Sequence, residues 1–190
     1  PAQRQWEAML DATDTATYIA ALSVFPNVPE TPLQGRLYRA LEHTDTAVRC
    51  AALRALLALA KAQRLSSMDA ALLQVLEADE VEVRHAALQV LTALGTDEAL
   101  GHMLVLLDDE QPQIRETLTK SLTLFGQRAV APLFERLRSP QIALLAKESA
   151  LIALALLRGV DADALLTFWE AELHDVYQYK LMLACLEEAV

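Results

Sequence analysis

Apolar and polar positions along the chain follow a pattern that returns four times, each time around a cation. The four copies occupy residues 45–59, 80–94, 111–125 and 143–157. Their cations are Arg49, Arg84, Arg115 and Lys147, which are 35, 31 and 32 residues apart. A fixed period in this range is typical of a repeat protein whose unit is one supersecondary element.

One face of every copy is apolar, at the offsets −1, +3, +7 and +10 from its cation. These offsets hold Val48, Ala52, Leu56 and Leu59, then Val83, Ala87, Leu91 and Leu94, then Ile114, Leu118, Leu122 and Phe125, and finally Ala146, Ala150, Leu154 and Leu157. Positions with this spacing lie on one side of an α-helix. The pattern therefore predicts that each copy is a helix with a buried seam.

A second set of positions, at the offsets +1, +5 and +8, is mixed and mostly polar, and we call it the polar stripe. Its residues are Cys50, Arg54 and Leu57, then His85, Gln89 and Thr92, then Glu116, Lys120 and Thr123, and finally Glu148, Ile152 and Ala155. We expect the stripe to face solvent, and four stacked stripes to form one continuous surface. The residues that we expect to contact a partner there are Arg54, Lys61, His85, Gln89, Glu116, Lys120 and Glu148.

Residues that start or stop helices divide the chain between and around these copies. The side chains expected to cap helix starts are Asp45, Ser66 or Ser67, and Thr96. The residues expected to stop helices are Pro26, Gly95, Gly126 and Gly159. The predicted helices are 3–24, 32–43, 46–61, 67–78, 80–94, 97–107, 112–125, 127–138, 141–158, 162–173 and 175–188. No stretch has the alternation that predicts a strand.

The acidic residue before Val-Arg in the first two copies, and the small residues after it, resemble HEAT repeats of the short bacterial kind. The resemblance covers roughly residues 31–158 and weakens in the fourth copy, where Lys147 replaces the arginine. It implies an all-α fold, a right-handed α-solenoid of antiparallel helix pairs with about eleven helices. It also implies a single domain, 1–190, in which 1–25 is an N-terminal capping helix and 160–190 form a C-terminal capping helix pair.

The resemblance further implies roles for individual positions. In HEAT proteins the acidic residue and the arginine of successive units tend to form a ladder between neighbouring repeats. The residues that would form it here are Asp45, Arg49, Glu80, Arg84 and Arg115. The second helix of each repeat usually lines the concave side of the family's solenoids, which would place the polar stripe there.

The charge of the chain limits the kind of partner. Sixteen basic and 26 acidic side chains give a net charge of −10, with a pI near 4.8. A nucleic-acid partner is not expected, because binding a polyanion normally requires clustered cations. Residues 161–190 hold seven acidic side chains and one lysine. This end is interpreted as a solvated surface or, alternatively, as a docking surface for a basic partner.

The cysteines and the apolar stretches bear on the compartment. Cys50 and Cys185 form no disulfide framework, which suits a reducing, cytoplasmic setting. The first residues lack the apolar core of a signal peptide. The most apolar stretch, 142–157, contains two charges and is too short to span a bilayer, so no membrane insertion is expected. The chain does not begin with Met, which is compatible with a piece of a longer protein.

Side chains with catalytic or ligand potential are scattered. The histidines are His43, His85, His102 and His174, and none has a second ligand at metal-binding spacing, so no metal or cofactor is expected. Arg49 next to Cys50 would lower the pKa of the thiol if its guanidinium were close, but an inert thiol is the preferred interpretation. The aromatic residues near the C-terminus, which would seal the solenoid or, if exposed, contact a partner, are Phe168, Trp169, Tyr177 and Tyr179.

These features predict a non-enzymatic interaction module that binds a protein partner on its concave face. The resemblance leaves two alternatives. One is a subunit similar to phycobilin lyases, although the polar stripe offers few cations to a bulky anionic pigment. The other is a soluble regulatory HEAT domain of a larger membrane or signalling protein. A DNA-binding HEAT array, as in alkylation-repair glycosylases, conflicts with the acidic balance of the chain.

Overall fold

The structure, a computed structural model, describes residues 15–24, 34–65 and 68–157, together with Met9 and Thr167. Regular structure in these residues is helical throughout, without a strand, which confirms the all-α prediction. The α-helices, in chain order, are α1 Thr15–Val24, α2 Gln34–Leu41, α3 Thr46–Lys61, α4 Ala70–Gln74, α5 Val81–Leu94, α6 Asp97–Met103, α7 Pro112–Phe125, α8 Val130–Leu137 and α9 Leu144–Leu156.

Short 3-10 turns extend some of these helices. They are Val75–Glu77 after α4, Leu104–Asp108 after α6 and Gly126–Ala129 before α8. The described residues contain fewer than eleven helices, because the helices predicted at 162–173 and 175–188 lie outside the described residues. The prediction of one domain with a capping segment at each end stays a prediction.

Two predicted caps are present at the starts of α3 and α6. The Ala47 N–H donates to Asp45 Oδ1 at 2.8 Å, and the Ala99 N–H donates to Thr96 Oγ1 at 3.1 Å. Each bond satisfies a first-turn amide that has no acceptor within its own helix. The cap therefore sets where each helix begins.

The start of α4 differs from the prediction of a cap at Ser66 or Ser67. Asp69 has extended backbone, and its Oδ1 accepts the Ala71 N–H at 3.0 Å. Aspartate is at least as good a cap as serine, and this one stands directly before the helical run. Helix α4 therefore begins after Asp69, later than the start near residue 67 that the sequence predicts, and Ser66 and Ser67 lie outside the described residues.

The ends of α5 and α7 confirm two of the predicted stops. Gly95 follows α5 with a φ of 63°, and Gly126 follows α7 with a φ of 57°. Side chains disfavour this left-handed region, so glycine is the residue that ends a helix there at little cost. The third predicted glycine stop, Gly159, lies outside the described residues.

The buried seam is present in all four copies of the repeat. Every predicted seam position is buried except Leu94, which is half-buried at the end of α5. Burying a leucine side chain is favourable by about 1.5–3 kcal/mol, so a seam of apolar positions stabilises each helix pair substantially. The prediction that these offsets form the core is confirmed.

The structure also buries two rows of positions that the seam pattern does not include, at the offsets +4 and +6. Their residues are Leu53, Leu88, Thr119 and Leu151 at +4, and Ala55, Val90, Ser121 and Ala153 at +6. These offsets lie on the two flanks of the helix rather than on the seam. The second helix of each repeat is therefore buried on its flanks as well as on its seam. These second helices are α3, α5, α7 and α9.

The chain divides into two compact units, Pro1–Leu94 and Gly95–Val190. In the first unit α3 is central, because it packs against α1, α2 and α5. In the second unit α9 packs against α7, against α8 and against the turn Leu104–Asp108. The polar stripe therefore has two parts, one carried by α3 and α5 and the other by α7 and α9.

Candidate protein-interaction surface

The first unit presents four of the seven predicted contact residues. Arg54 and Lys61 on α3 and Gln89 on α5 are exposed, and His85 on α5 is half-buried. Helices α3 and α5 pack against each other, so these side chains belong to one continuous face. The seam of both helices is turned away from this face. The exposure expected for this part of the stripe is therefore present.

The second unit presents the other three. Glu116 and Lys120 on α7 are exposed, and Glu148 on α9 is half-buried. Lys120 Nζ donates to Glu116 Oε1 at 2.6 Å, the distance of a charge-assisted hydrogen bond. That hydrogen bond and, to a smaller extent, the positive charge of Lys120 hold the pKa of Glu116 below its ordinary value. Ala155 on α9 is the one stripe position that is buried, and the half-buried stripe positions are Cys50, Leu57, His85, Thr92, Glu148 and Ile152.

Arg49, the cation of the first copy, has a structural role within the first unit. Its Nη2 donates to Glu80 Oε1 of the second copy, and the Thr46 hydroxyl donates to the same oxygen at 3.1 Å. Only 17% of the Arg49 side chain is exposed, and its Nε is buried without a hydrogen-bond partner. This pair is a rung of the predicted ladder between neighbouring repeats.

Glu80 is held ionised by this arrangement. Its pKa lies below the ordinary value of a glutamate, first because its own backbone N–H donates to the carboxylate. Hydrogen bonds from Thr46 and Arg49 lower it further, while partial burial acts in the opposite direction. The carboxylate is thus a fixed acceptor for the arginine of the preceding copy.

The arginines of the next two copies bind the turn that precedes their own helix. Arg84 Nη1 donates to the carbonyl oxygens of Ala78 at 2.7 Å and of Asp79 at 2.9 Å. Arg115 Nη1 donates to the carbonyls of the equivalent turn, residues 109 and 110. Carbonyls in such turns lack partners in a helix, so the guanidinium satisfies them. The ladder assignment did not anticipate these bonds to the preceding turn.

Cys50, which shares the polar stripe, is not an activated thiol. Partial burial, the largest effect, raises the pKa of Cys50 above its ordinary value. Smaller effects oppose one another, since Arg54 and Arg49 lower the pKa whereas Glu82 and Glu80 raise it. Arg49 thus lowers the pKa of the thiol, as its place next to Cys50 suggests, but burial outweighs it, and less thiolate is present at neutral pH than for a free cysteine.

The histidines of the described residues are not gathered into a ligand set. His43 Nδ1 accepts the Asp45 N–H at 2.9 Å, and its ring lies 6.3 Å from the Tyr18 ring. His43 thus contributes to the turn between α2 and α3. His102 is exposed on α6, and His174 lies outside the described residues. No three His, Cys, Asp or Glu side chains in the described part of the chain are grouped as metal ligands would be.

Two features of the second unit were missed by the sequence analysis. Leu124 on α7 and Leu156 on α9, both at the offset +9, are 76% and 42% exposed. They adjoin the polar stripe and could have been found by extending the repeat alignment one position further. Arg128 Nε donates to Asp97 Oδ1 at 2.7 Å and Arg128 Nη2 to the Gly95 carbonyl at 2.9 Å, a contact that no repeat position predicts.

The described residues form an all-helical fold built on a repeated pattern, and comparison with known proteins finds a matching family. Residues 69–155 match the family described as HEAT repeats. No protein with a curated description matches the sequence. In the described residues no helix is both long enough and apolar enough to cross a membrane.

Several solved structures have a fold similar to that of this chain. The complex of CpcE and CpcF of phycocyanin lyase from Nostoc sp. is 21% identical, with a TM-score of 0.56, over 97% of this chain and 75% of that one. A designed armadillo repeat protein in complex with the peptide (KR)4 is 16% identical, with a TM-score of 0.52, over 98% of both chains. An engineered protein from a structural genomics consortium is 17% identical, with a TM-score of 0.54, over 97% and 95%. These likenesses concern the fold.

Proposed function

We propose that this protein is a non-enzymatic interaction module, a right-handed α-solenoid of about eleven helices that binds a protein partner on its concave face. The contacts are made by the polar stripe of the second helices. Arg54, Lys61, His85, Gln89, Glu116, Lys120 and Glu148 form the partner-binding set.

The observation that carries this proposal is the separation of each second helix into a buried and an exposed side. The seam and both flanks are buried in packing contacts, so substitutions there destabilise the fold. The polar stripe is left accessible, and six of the seven residues in the proposed set are charged or titratable. Regularly spaced polar side chains on a rigid frame suit recognition of an extended or helical partner. A designed armadillo repeat protein of similar fold holds a peptide, which supports a partner of this kind.

A pull-down with the intact chain and with an Arg54→Glu, Lys120→Glu double variant tests the proposal. We expect the intact chain to retain a protein from the lysate of its native cell and the double variant to lose it. The melting temperature should fall by no more than about 2 °C, because placing like charges at i,i+4 costs only a few tenths of a kcal/mol.

A matched control reverses two exposed charges outside the stripe, Arg39 and Arg138, to glutamate. It has the same net charge as the double variant but leaves the stripe intact, so the partner should still be retained. If the partner stays bound to the stripe variant, or leaves both variants equally, the stripe is not the binding face.

A second candidate is a phycobilin-lyase-like enzyme subunit, favoured by the likeness to the phycocyanin lyase complex. The propionates of a bilin would need cations, and Arg54 and Lys61 are the exposed cations of the partner-binding set that are not already paired in the described residues. Adding a bilin to the purified chain tests this function. A new visible absorbance band lost in the Arg54→Glu, Lys61→Glu variant would favour the lyase, whereas an unchanged spectrum would remove it.

A further inference from the structure

Two exposed cations of the first unit stand apart from the others. Among the described residues, the other exposed arginines and lysines make a hydrogen bond, an ion pair or a ring contact. Arg54 and Lys61 make none of these, and both lie on α3. In a chain with a net charge of −10, two cations on one helix that make no such contact within the described residues are the exception. Their charges are therefore available to a negative group.

The two cations are in register on one face of the helix. They are seven residues apart, which corresponds to two turns and a separation of about 10 Å along the axis. Leu57 and Ala58 lie between them and are half-buried, so the surface between the cations is apolar and partly accessible. The face thus offers two positive points with an apolar strip between them.

The neighbouring helix does not neutralise this face. Helix α5 contributes Glu82, which is close enough to influence the Cys50 thiol, but no ion pair joins it to Arg54 or Lys61. The remaining polar groups that α5 contributes to the stripe are His85, Gln89 and Thr92. The local charge of the face is therefore positive on a negative molecule.

Building on the proposed function, we propose that the α3 face of the first unit binds an acidic amphipathic helix. Two carboxylates of the partner, at its positions i and i+7, would pair with Arg54 and Lys61. Apolar side chains at i+3 and i+4 would lie against Leu57 and Ala58. An extended segment fits less well, because its residues on one face recur every second position, at about 7 or 13 Å.

Synthetic peptides of about 20 residues test this register, since shorter helices are marginal in water. The first peptide carries glutamates at i and i+7 with leucines at i+3 and i+4 in an alanine-rich, fluorescently labelled helix. The second has the same composition but its glutamates at i and i+5, on different faces. Fluorescence anisotropy should show binding of the first peptide to the full chain and at least severalfold weaker binding of the second. Binding of the first should weaken as salt is raised.

Substitutions then identify the anchors. An Arg54→Gln, Lys61→Gln variant should bind the first peptide about tenfold more weakly, as expected for the loss of two partly exposed ion pairs. The control variant Arg39→Gln, Arg138→Gln removes the same charge elsewhere and should bind like the wild type. Equal binding by the anchor variant, or no binding of either peptide, overturns the proposal.

Two further comparisons separate this proposal from other outcomes. A duplex oligonucleotide that binds as tightly as the first peptide would overturn the acidic-helix proposal in favour of an electrostatic polyanion site. If the first peptide fails to bind but the Arg54→Glu, Lys120→Glu variant still loses the pull-down partner, the proposed interaction module is supported and the acidic-helix partner is contradicted. If that variant also retains the partner, both proposals are contradicted.

Discussion

Helices α3 and α7 occupy the same place in two repeats, yet they use their polar residues in opposite ways. In α3 the anchoring Arg49 pairs with the carboxylate of Glu80, while the exposed cations Arg54 and Lys61 have no ion pair within the described residues. In α7 the anchoring Arg115 binds backbone carbonyls, and the stripe cation Lys120 pairs with Glu116. The repeat therefore determines the seam but leaves each polar position free to serve either the fold or the surface.

The flanks of the two helices also differ, in the polarity of their buried residues. Leu53 and Ala55 of α3 are apolar, whereas the equivalent Thr119 and Ser121 of α7 are polar, and all four are buried. The Thr119 hydroxyl donates to the Arg115 carbonyl of its own helix at 2.8 Å, so its burial leaves no unsatisfied donor. Helix α3 is thus held by apolar flanks, whereas α7 tolerates polar ones.

The largest effect should come from the feature that the two helices share. Leu56 in α3 and Leu122 in α7 are fully buried at the same offset, +7. Leu56→Ala and Leu122→Ala should each lower the free energy of unfolding by about 2–5 kcal/mol, since each removes buried methyl groups and leaves a cavity. Urea denaturation followed by circular dichroism measures both.

The exposed position Gln89 supplies the control for these seam variants. Gln89→Ala should change the free energy of unfolding by no more than about 0.5 kcal/mol. A seam substitution that costs no more than this would contradict the shared seam. A cost confined to α3 would show that the repeat has lost its packing role in α7.

A smaller loss of stability is expected when the contacts of the anchoring arginines are removed, and its pH dependence should differ between Arg115 and the Arg49–Glu80 pair. Arg115→Ala removes the donor for two turn carbonyls and should cost about 1 kcal/mol, because the carbonyl of Asp109 is partly buried whereas water can reach that of Glu110. The carbonyls do not titrate, so the cost should be the same at about pH 7 and about pH 4. A cost that disappears on acidification would mean that Arg115 acts through a carboxylate instead.

Glu80 should behave differently, because its pKa is depressed in the folded protein. A depressed folded pKa stabilises the fold above the ordinary pKa of 4.5, and this stabilisation is lost as pH falls through the lower folded value. Glu80→Gln should therefore destabilise the chain at neutral pH and have progressively less effect below about pH 4. Denaturation of both proteins across this range measures the difference. A difference that grows on acidification would contradict the Arg49–Glu80 rung.

The sequence predicts those parts of the fold that depend on spacing and on a single local acceptor. The seam follows from period alone, and the caps at Asp45 and Thr96 follow from one side chain each. The cap at Asp69 was missed because two serines just before it compete with it in a linear reading. Whether an exposed cation is free, like Arg54, or paired, like Lys120, depends on rotamers and neighbours that a repeat alignment does not contain. The prediction of which residues bind a partner is limited in the same way, because it depends on the same rotamers and neighbours.

The smallest effect tests whether the α7 stripe belongs to the surface at all. Lys120 and Glu116 are exposed, and an exposed i,i+4 pair contributes little to stability. Lys120→Gln should leave the melting temperature unchanged within about 2 °C, at low and at high salt. Thermal denaturation of this variant beside Arg115→Ala gives the comparison on one helix. If Lys120→Gln lowers the melting temperature as much as Arg115→Ala does, the pair holds α7 in place, and Lys120 should be withdrawn from the partner-binding set.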